Sequence, residues 1–306
     1  MLQLLVTANK LNKRNQIPST LPDNIGISGT VMKGYSFEGY EVGKVPNPGL
    51  GKWYKDKEGS FYWGGGLIVE SIKTDINLPG LPVNLPDDFR LGVDVAHHDE
   101  KPDWDAFKAS GASFVYIKTS EGVGTPDPMA KLHADNARQH DLRIGYYHFC
   151  RPDTRNGGTV INDALAEADE ALRIISGIQK PDLPLVLDLE DQATWDTPLG
   201  PSDYALWVSS FINRIKEKSG TDSIIYSRTE YLNRKLDSNH GLDAISKLWL
   251  SYYPKNGDCN HVPCPAGWDD WALWQYTESG VIGKSTAMDI NIMKDDSLFN
   301  NIAWQG

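Results

Sequence analysis

The chain has 306 residues, enough for two domains, and its composition (40% hydrophobic, 23% charged) is ordinary for a globular protein. The formal net charge is −11, but residues 1–72 carry eight Lys and Arg against six Asp and Glu, whereas residues 73–306 carry 22 against 35. A large acidic domain argues against nucleic-acid binding, which needs a basic face, and no apolar run is long enough for membrane insertion.

Residues 1–72 predict a small all-β domain, because short apolar or β-branched segments alternate with Pro, Asn, Asp and Gly turns. The segments VTANKLNKRN, GTVMKGYSF and GKWYKDKEGSFYWGGGLI, in this order, resemble the bacterial SH3-like domains. That resemblance implies a small barrel that binds cell-wall peptide or glycan. Tyr54, Tyr62 and Trp63 are candidate ligand-binding rings, although for each of them we favour filling of the small core.

Residues 73–89 contain Pro79, Pro82 and Pro86, a spacing that favours an extended, semi-rigid linker. We place the domain boundary in this segment.

From residue 90 onward the pattern changes to strands that alternate with helices, and it predicts a β/α architecture. Helices are predicted over 126–141, 160–178 and 201–220. The strand candidates are 91–96, 113–120, 143–149, 183–190, 223–227, 247–253, 271–276 and 287–293. Eight strands in about 200 residues predict a compact β/α barrel.

The fourth of these strands, in LPLVLDLED, carries two carboxylates within an apolar run. Side chains alternate between the faces of a strand, so Asp188 and Glu190 share one face. The opposite face carries Leu185, Leu187 and Leu189. Desolvation and mutual repulsion predict that at least one of the two carboxyl pKa values is raised. A protonated acid beside an ionised one suits glycosidic bond cleavage; the alternatives are a salt-bridged strand end or a metal site.

Other polar and aromatic residues occur at the ends of the remaining predicted strands, where a β/α barrel places its active site. Asp94 ends the first strand and Asp289 lies on the last, which brings the acidic residues to four on three strands. Aromatic residues end most of the other strands. Acids surrounded by aromatic rings predict a carbohydrate-binding cleft and favour a glycosidase.

The segments GVDVAHHD, FVYIKTSEG, IGYYHFCRP, LVLDLED, IIYS, LWLSYY and WALWQYTESGVIGKSTAMDIN resemble the glycoside hydrolase family 25 lysozymes. The resemblance covers residues 91–294. It implies an irregular β/α (TIM-like) barrel and an N-acetylmuramidase that cleaves the β-1,4 bond between N-acetylmuramic acid and N-acetylglucosamine in peptidoglycan. No metal or organic cofactor is implied.

The same resemblance assigns roles to individual residues. Glu190 corresponds to the general acid/base and Asp188 to its partner, while Asp94 and Asp289 correspond to two further acids of the cleft. The residues expected to line sugar subsites are Tyr147, Tyr226, Trp249, Tyr252, Trp274 and Gln275. The family is regarded as retaining. Carboxylates at i and i+2 of one strand lie closer together than two groups that flank a sugar ring, so we favour participation of the substrate's acetamido group over a covalent enzyme ester.

Several residues have an alternative structural interpretation. His97, His98 and His148 are expected to make positioning hydrogen bonds, and Lys118 with Glu121 a structural ion pair. In the CNHVPC loop, Cys259 and Cys264 predict a local disulfide or, failing that, two free thiols.

The domain order predicts a modular wall-lytic enzyme: an SH3-like module over 1–72, a linker over 73–89 and a catalytic domain over 90–306. The N-terminus lacks the pattern of a secretory signal. Together with the pairing of modules, this favours a phage endolysin held in the host cytoplasm before release, and we expect it to be a monomer. A bacterial autolysin or secreted lysozyme, a chitin-cleaving glycosidase, a metal-dependent deacetylase and a non-catalytic wall-binding protein remain alternatives.

Overall fold

The computed structural model describes residues 2–20, 24–70, 78, 80–86, 88–99, 101–191, 199–294, 298 and 304. The chain divides into two compact units, Met1–Asp75 and Ile76–Gly306. Residues 71–77, where the predicted SH3-like domain ends and the predicted linker begins, lie outside the described residues. In the described part of the chain, none of the helices combines the length and apolar character needed to cross a membrane.

The first unit is an antiparallel sheet of seven strands. Its strands are β1 (Leu2–Val6), β2 (Lys10–Arg14), β3 (Ile27–Met32), β4 (Ser36–Glu41), β5 (Trp53–Asp56), β6 (Phe61–Trp63) and β7 (Leu67–Glu70), in the spatial order β3-β2-β6-β5-β4-β1-β7. Tyr54 and Tyr62 are buried in its core with Leu4 and Phe37, so these two rings fill the interior as favoured above. Trp63 differs, because 39% of it is exposed.

The second unit is built on a closed barrel of eight strands. They are β8 (Arg90–Val95), β9 (Ala112–Glu121), β11 (Arg143–Phe149), β12 (Leu185–Asp188), β13 (Ser223–Ser227), β14 (Ser246–Ser251), β15 (Leu273–Ile282) and β16 (Ser285–Met293), with β10 (Thr125–Pro126) as a short addition beside β9. Neighbouring strands are parallel from β8 to β15, whereas β16 is antiparallel to both β15 and β8. The predicted α/β barrel of eight strands is confirmed, and its irregularity lies in this antiparallel closure.

Two apolar layers follow from the alternation of side chains along the barrel strands. The inner layer fills the barrel with rings such as Phe114, Tyr116 and Trp249. The outer layer lies between the strands and the helices α1 (Trp104–Ala109), α2 (Ala130–Gln139), α3 (Val160–Ile175), α4 (Pro201–Ser219) and α5 (Thr229–Lys235). Because these rings fill the interior of the barrel, a ligand is expected to bind at the carboxyl ends of the strands.

The segment predicted as a linker is described only in part. Leu78 is buried in the outer apolar layer, and Leu81, Leu85 and Phe89 pack against it. Val83 forms an isolated β-bridge with Asp258. The described portion of residues 73–89 therefore belongs to the second unit.

The CNHVPC loop holds two free thiols rather than a disulfide. Both Cys259 and Cys264 are partly buried against the outer apolar layer. Burial raises the pKa of Cys259 to about 11, because the thiolate is poorly solvated there. The local disulfide favoured by the sequence is thus replaced by its second alternative.

Candidate active site

A cavity of about 200 Å³ opens at the carboxyl ends of the barrel strands. Seven of the eight strands, or the residues directly after them, supply its lining. The lining residues are Asp94, Ala96, His98, Lys118, Tyr147, Phe149, Val186, Asp188, Glu190, Tyr226, Trp249 and Asp289. All four acids expected from the sequence therefore meet in one pocket, although they are as much as 195 positions apart in the chain.

Asp188 and Glu190 lie together because the chain stays extended beyond the end of β12. The backbone N–H of Leu189 donates to the Tyr226 carbonyl oxygen at 2.9 Å, and the Ser227 hydroxyl donates to the Leu189 carbonyl oxygen at 2.6 Å. This pairing with β13 keeps the alternation of side chains, so Glu190 follows Asp188 into the pocket. Asp188 is only 6% exposed, whereas Glu190 is partly exposed.

The two carboxyl groups have raised pKa values for related reasons. Burial raises the pKa of Asp188 well above its usual range, and the charge of Glu190 adds to this effect. Burial also raises the pKa of Glu190, opposed by the positive charge of Arg228 and by the neighbouring Tyr226 hydroxyl. A raised pKa means that each of the two acids keeps its proton to a higher pH than a free carboxyl group does.

One oxygen of Asp188 marks where a ligand could bind. Its Oδ1 is buried and has no hydrogen-bond partner among the residues that the structure describes. A buried acceptor without a partner is costly, and this cost is removed by a donor that enters the pocket. A ligand N–H or O–H group placed against Asp188 would supply that donor.

Asp94 is held by two side-chain amides behind the pocket. Its Oδ2 accepts hydrogen bonds from Gln275 Nε2 at 2.9 Å and from Asn291 Nδ2 at 2.7 Å. Asp289 faces Asp94 directly across the antiparallel pair β16–β8 and hydrogen-bonds to it. The first and last barrel strands thus join two of the four acids into a second carboxyl pair.

Lys118 brings a positive charge to the pocket wall. Its Nζ donates to Glu121 Oε2 at 2.9 Å and lies 4.8 Å from the centroid of the Phe149 ring. Burial lowers the pKa of the Lys118 ammonium, and the charge of Asp188 opposes that change. The expected ion pair is present, and the same lysine also lines the pocket.

Three of the six predicted subsite residues, Tyr147, Tyr226 and Trp249, line the pocket. Gln275 lies behind it, where its Oε1 accepts a hydrogen bond from the Tyr226 hydroxyl at 2.8 Å. Trp274 and Tyr252 lie elsewhere. Trp274 is fully buried in the outer apolar layer, and Tyr252 packs against that layer. Their placement differs from the expectation because neighbouring residues on a strand face opposite sides.

The inward-facing tyrosine after β14 is Tyr253, which the sequence reasoning did not select. Its hydroxyl hydrogen-bonds to Gln275 Oε1, and 41% of the residue is exposed. Asn291 was missed as well. Both could have been found by alternation, since Tyr253 is four positions from the inward-facing Trp249 and Asn291 is two from Asp289.

The histidines divide between the pocket and the outer side of the barrel. His98 lines the pocket and packs on the His97 ring at a centroid distance of 3.8 Å. His97 Nδ1 lies 2.9 Å from Asp127 Oδ2. His148 faces outward and hydrogen-bonds to Ser120 and Glu167. Among the described residues, the three side chains close enough to share a metal ion are His148, Cys150 and Glu167, and these lie outside the pocket lining.

Comparison with known proteins identifies this architecture. Residues 93–284 match the family model described as glycosyl hydrolases family 25. The chain belongs to this family. Its membership confirms the expectation of a glycoside hydrolase.

Proteins similar to this chain include several lysozymes. Lysozyme M1 of Streptomyces globisporus is 29% identical over 196 residues, 63% of this chain and 63% of that protein. An autolytic lysozyme of Clostridium acetobutylicum is 27% identical over 204 residues, 65% of this chain and 54% of that protein. The crystal structure of a bacterial lysozyme from Streptomyces coelicolor matches with a TM-score of 0.60 and 28% identity, over 69% of this chain and 95% of that one. This chain spans less than two thirds of the length of either sequence relative.

Proposed function

We propose that this protein is a peptidoglycan hydrolase that cleaves the β-1,4 bond between N-acetylmuramic acid and N-acetylglucosamine. The observation that carries this proposal is the Asp188–Glu190 pair, two carboxyls with raised pKa values in one pocket of a family 25 barrel. Relatives named as lysozymes support peptidoglycan as the substrate.

In the proposed mechanism, Glu190 is the general acid because it is the more exposed member of the pair. Its proton goes to the leaving O4 of N-acetylglucosamine while the substrate's acetamido oxygen attacks C1 of the muramic acid. Asp188 accepts a hydrogen bond from the acetamido N–H and stabilises the positive charge that develops there. Water then attacks C1, Glu190 takes up its proton, and the acetamido group leaves C1 with net retention.

The unpartnered oxygen of Asp188 supports this division of roles. When an acetamido N–H donates to Asp188 Oδ1, the hydrogen bond stabilises the ionised form and lowers the pKa of Asp188. Ionised Asp188 then places a negative charge beside Glu190, which favours the protonated form of Glu190 where the acid is needed. Substrate binding thereby sets the protonation state required for the first step. Isolation of a glycosyl ester on Asp188 would contradict this mechanism.

The decisive test is digestion of purified peptidoglycan by wild type, Glu190→Gln and Asp188→Asn, with products reduced and identified by mass spectrometry. We expect new reducing-end muramic acid from wild type and a rate loss of about 10²- to 10⁴-fold in Glu190→Gln, the usual contribution of a general acid. Glu217→Gln is the matched control, because this glutamate is exposed on α4 and pairs with Arg214. New reducing-end glucosamine would assign a different bond, and no product on several wall types would favour a binding protein.

We also propose that the first unit is an SH3-like module that binds the cell wall. Its small all-β architecture and the exposed Trp63, Tyr35 and Tyr40 support this role. Sedimentation with purified walls tests it, using full-length Glu190→Gln so that the walls are not digested. Replacing Trp63 with Ala in that background should reduce the bound fraction, and unchanged binding would argue against a role for this ring.

A phage endolysin that acts as a monomer after membrane permeabilisation is our proposal for the biological setting. The name of the Clostridium relative, an autolytic lysozyme, supports a bacterial autolysin as the alternative. Production in a bacterial cytoplasm tests the proposal: cells should lyse after a permeabilising agent is added and stay intact before it. Sedimentation velocity measures the oligomeric state.

A further inference from the structure

The carboxyl pair formed by Asp94 and Asp289 has a protonation pattern that the hydrogen bonds determine. The two residues face each other across β8 and β16, and both line the pocket. They hydrogen-bond to each other. Two carboxylates cannot share a hydrogen bond unless one of them is protonated, since an ionised carboxylate is an acceptor only.

The indole of Trp249 identifies which member of the pair is ionised. An indole N–H can only donate, and Trp249 Nε1 donates to Asn291 Oδ1 at 3.0 Å. This contact fixes the orientation of the Asn291 amide, so its Nδ2 must be the atom directed at Asp94 Oδ2, at 2.7 Å. Asp94 Oδ2 is therefore an acceptor.

Gln275 supports the same assignment from the neighbouring strand. Its Oε1 receives the hydroxyls of Tyr226 and Tyr253, and its Nε2 donates to Asp94 Oδ2 at 2.9 Å. Two amide donors on one oxygen stabilise a carboxylate at Asp94. No comparable pair of amide donors to Asp289 is found among the described residues.

We infer that Asp289 is a neutral carboxylic acid at the working pH, which donates a hydrogen bond to an ionised Asp94 and holds that carboxylate as an acceptor in the pocket. Asp289 is then a positioning residue that acts through Asp94, rather than an ionised participant in the reaction. Any contact between Asp94 and the substrate rests on the proposed function. The assignment of the proton to Asp289 does not depend on that function.

The charges around the pair agree with a single negative charge. Asp99 from the loop after β8 and Glu278 of β15 both disfavour ionisation of Asp289, and burial is the largest cause of its raised pKa, about 9. Asp188 of β12 and the phenols of Tyr147 and Tyr253 also face these acids. Lys118 of β9 acts on Asp188 and Glu190. A second negative charge at Asp289 would therefore meet mostly acidic and phenolic groups.

The first test compares Asp289→Asn with Asp289→Ala in peptidoglycan hydrolysis. An asparagine amide donates to Asp94 as the protonated acid does, whereas alanine leaves Asp94 without this donor. Loss of one hydrogen bond to a charged group corresponds to about a tenfold to hundredfold effect. We expect Asp289→Asn to exceed Asp289→Ala by at least about tenfold in kcat/KM. Equal losses in both variants would overturn the inference, since they would mean that a charge at Asp289 is required.

The second test is independent of activity and so separates this inference from the proposed function. Burial on folding raises the pKa of Asp289 from 3.8 to about 9. Between these values the folded state binds one more proton than the unfolded state, so this group lowers wild-type stability as the pH rises. Asp289→Asn removes that dependence.

The melting temperature of Asp289→Asn minus that of wild type should therefore increase steadily from pH 5 to pH 9. The matched control is Asp243→Asn, which replaces an exposed aspartate in the short turn Leu242–Ala244 and should show no such increase. A difference that stays constant for Asp289→Asn would show that Asp289 is ionised in the folded protein. Infrared spectra provide a check, because the protonated-carboxyl absorption of wild type at pH 7 should exceed that of Asp289→Asn by the contribution of one carboxyl group.

Discussion

Arg228 gives a direct way to test whether Glu190 sets the pH dependence of the reaction. Its positive charge is the main influence that opposes the raised pKa of Glu190. Replacing Arg228 with Gln removes this charge, which destabilises the ionised form of Glu190 and raises its pKa. The acid form of Glu190 then persists to higher pH, so the alkaline limb of the kcat/KM profile should move to higher pH.

The size of the shift follows from the exposure of the arginine. A sheltered cation lowers a carboxyl pKa by about 1–3 units, but the Arg228 side chain is 48% exposed and solvent screens it. We therefore expect an upward shift of about half a unit to one unit. The assay is kcat/KM for release of soluble muropeptides, measured across the pH range at fixed ionic strength.

Arg234→Gln is the matched control for this experiment. Arg228 and Arg234 both pair with Asp191 at the surface, but only Arg228 is among the main influences on Glu190. The control should leave the alkaline limb in place. An unchanged limb in Arg228→Gln, or equal shifts in both variants, would refute the assignment of that limb to Glu190.

Two further predictions concern a buried aspartate of α3 and the tyrosine pair that follows β14. Asp163 of α3 is fully buried and accepts hydrogen bonds from the Trp207 indole at 2.7 Å and from Asn156 N and Nδ2, each at 2.9 Å. Asp163→Ala should therefore lower the free energy of unfolding by about 3 kcal/mol in urea titration, and a loss below about 1 kcal/mol would show that these donors find other partners. Tyr253→Ala should raise KM, because its ring faces the active-site side of the barrel. Tyr252→Ala should instead lower the melting temperature with little change in KM. The opposite pattern would show that the two rings face the other way round.

The sequence by itself determined the strands and the side chains that share a face. Period-two alternation along β12 and the two residues after it placed Leu185, Leu187 and Leu189 in the outer layer. The same alternation directed Asp188 and Glu190 into the pocket. Alternation is a property of the extended backbone alone, so it survives without any tertiary information. The same alternation turns Tyr252 and Trp274 toward the outer layer and directs their neighbours Tyr253 and Gln275 toward the inside of the barrel.

Tertiary structure decided which groups meet across the barrel. Asp94 receives its amide donors from Gln275 and Asn291, which are 181 and 197 positions away in the chain. These contacts depend on the antiparallel closure of β16 against β8 and on its register, and no local pattern specifies either. The raised pKa values of the four acids follow from those contacts and from burial, because a carboxyl pKa reflects the donors, charges and solvent around it. The residue types were therefore readable in the sequence, and their chemical states were set by the fold.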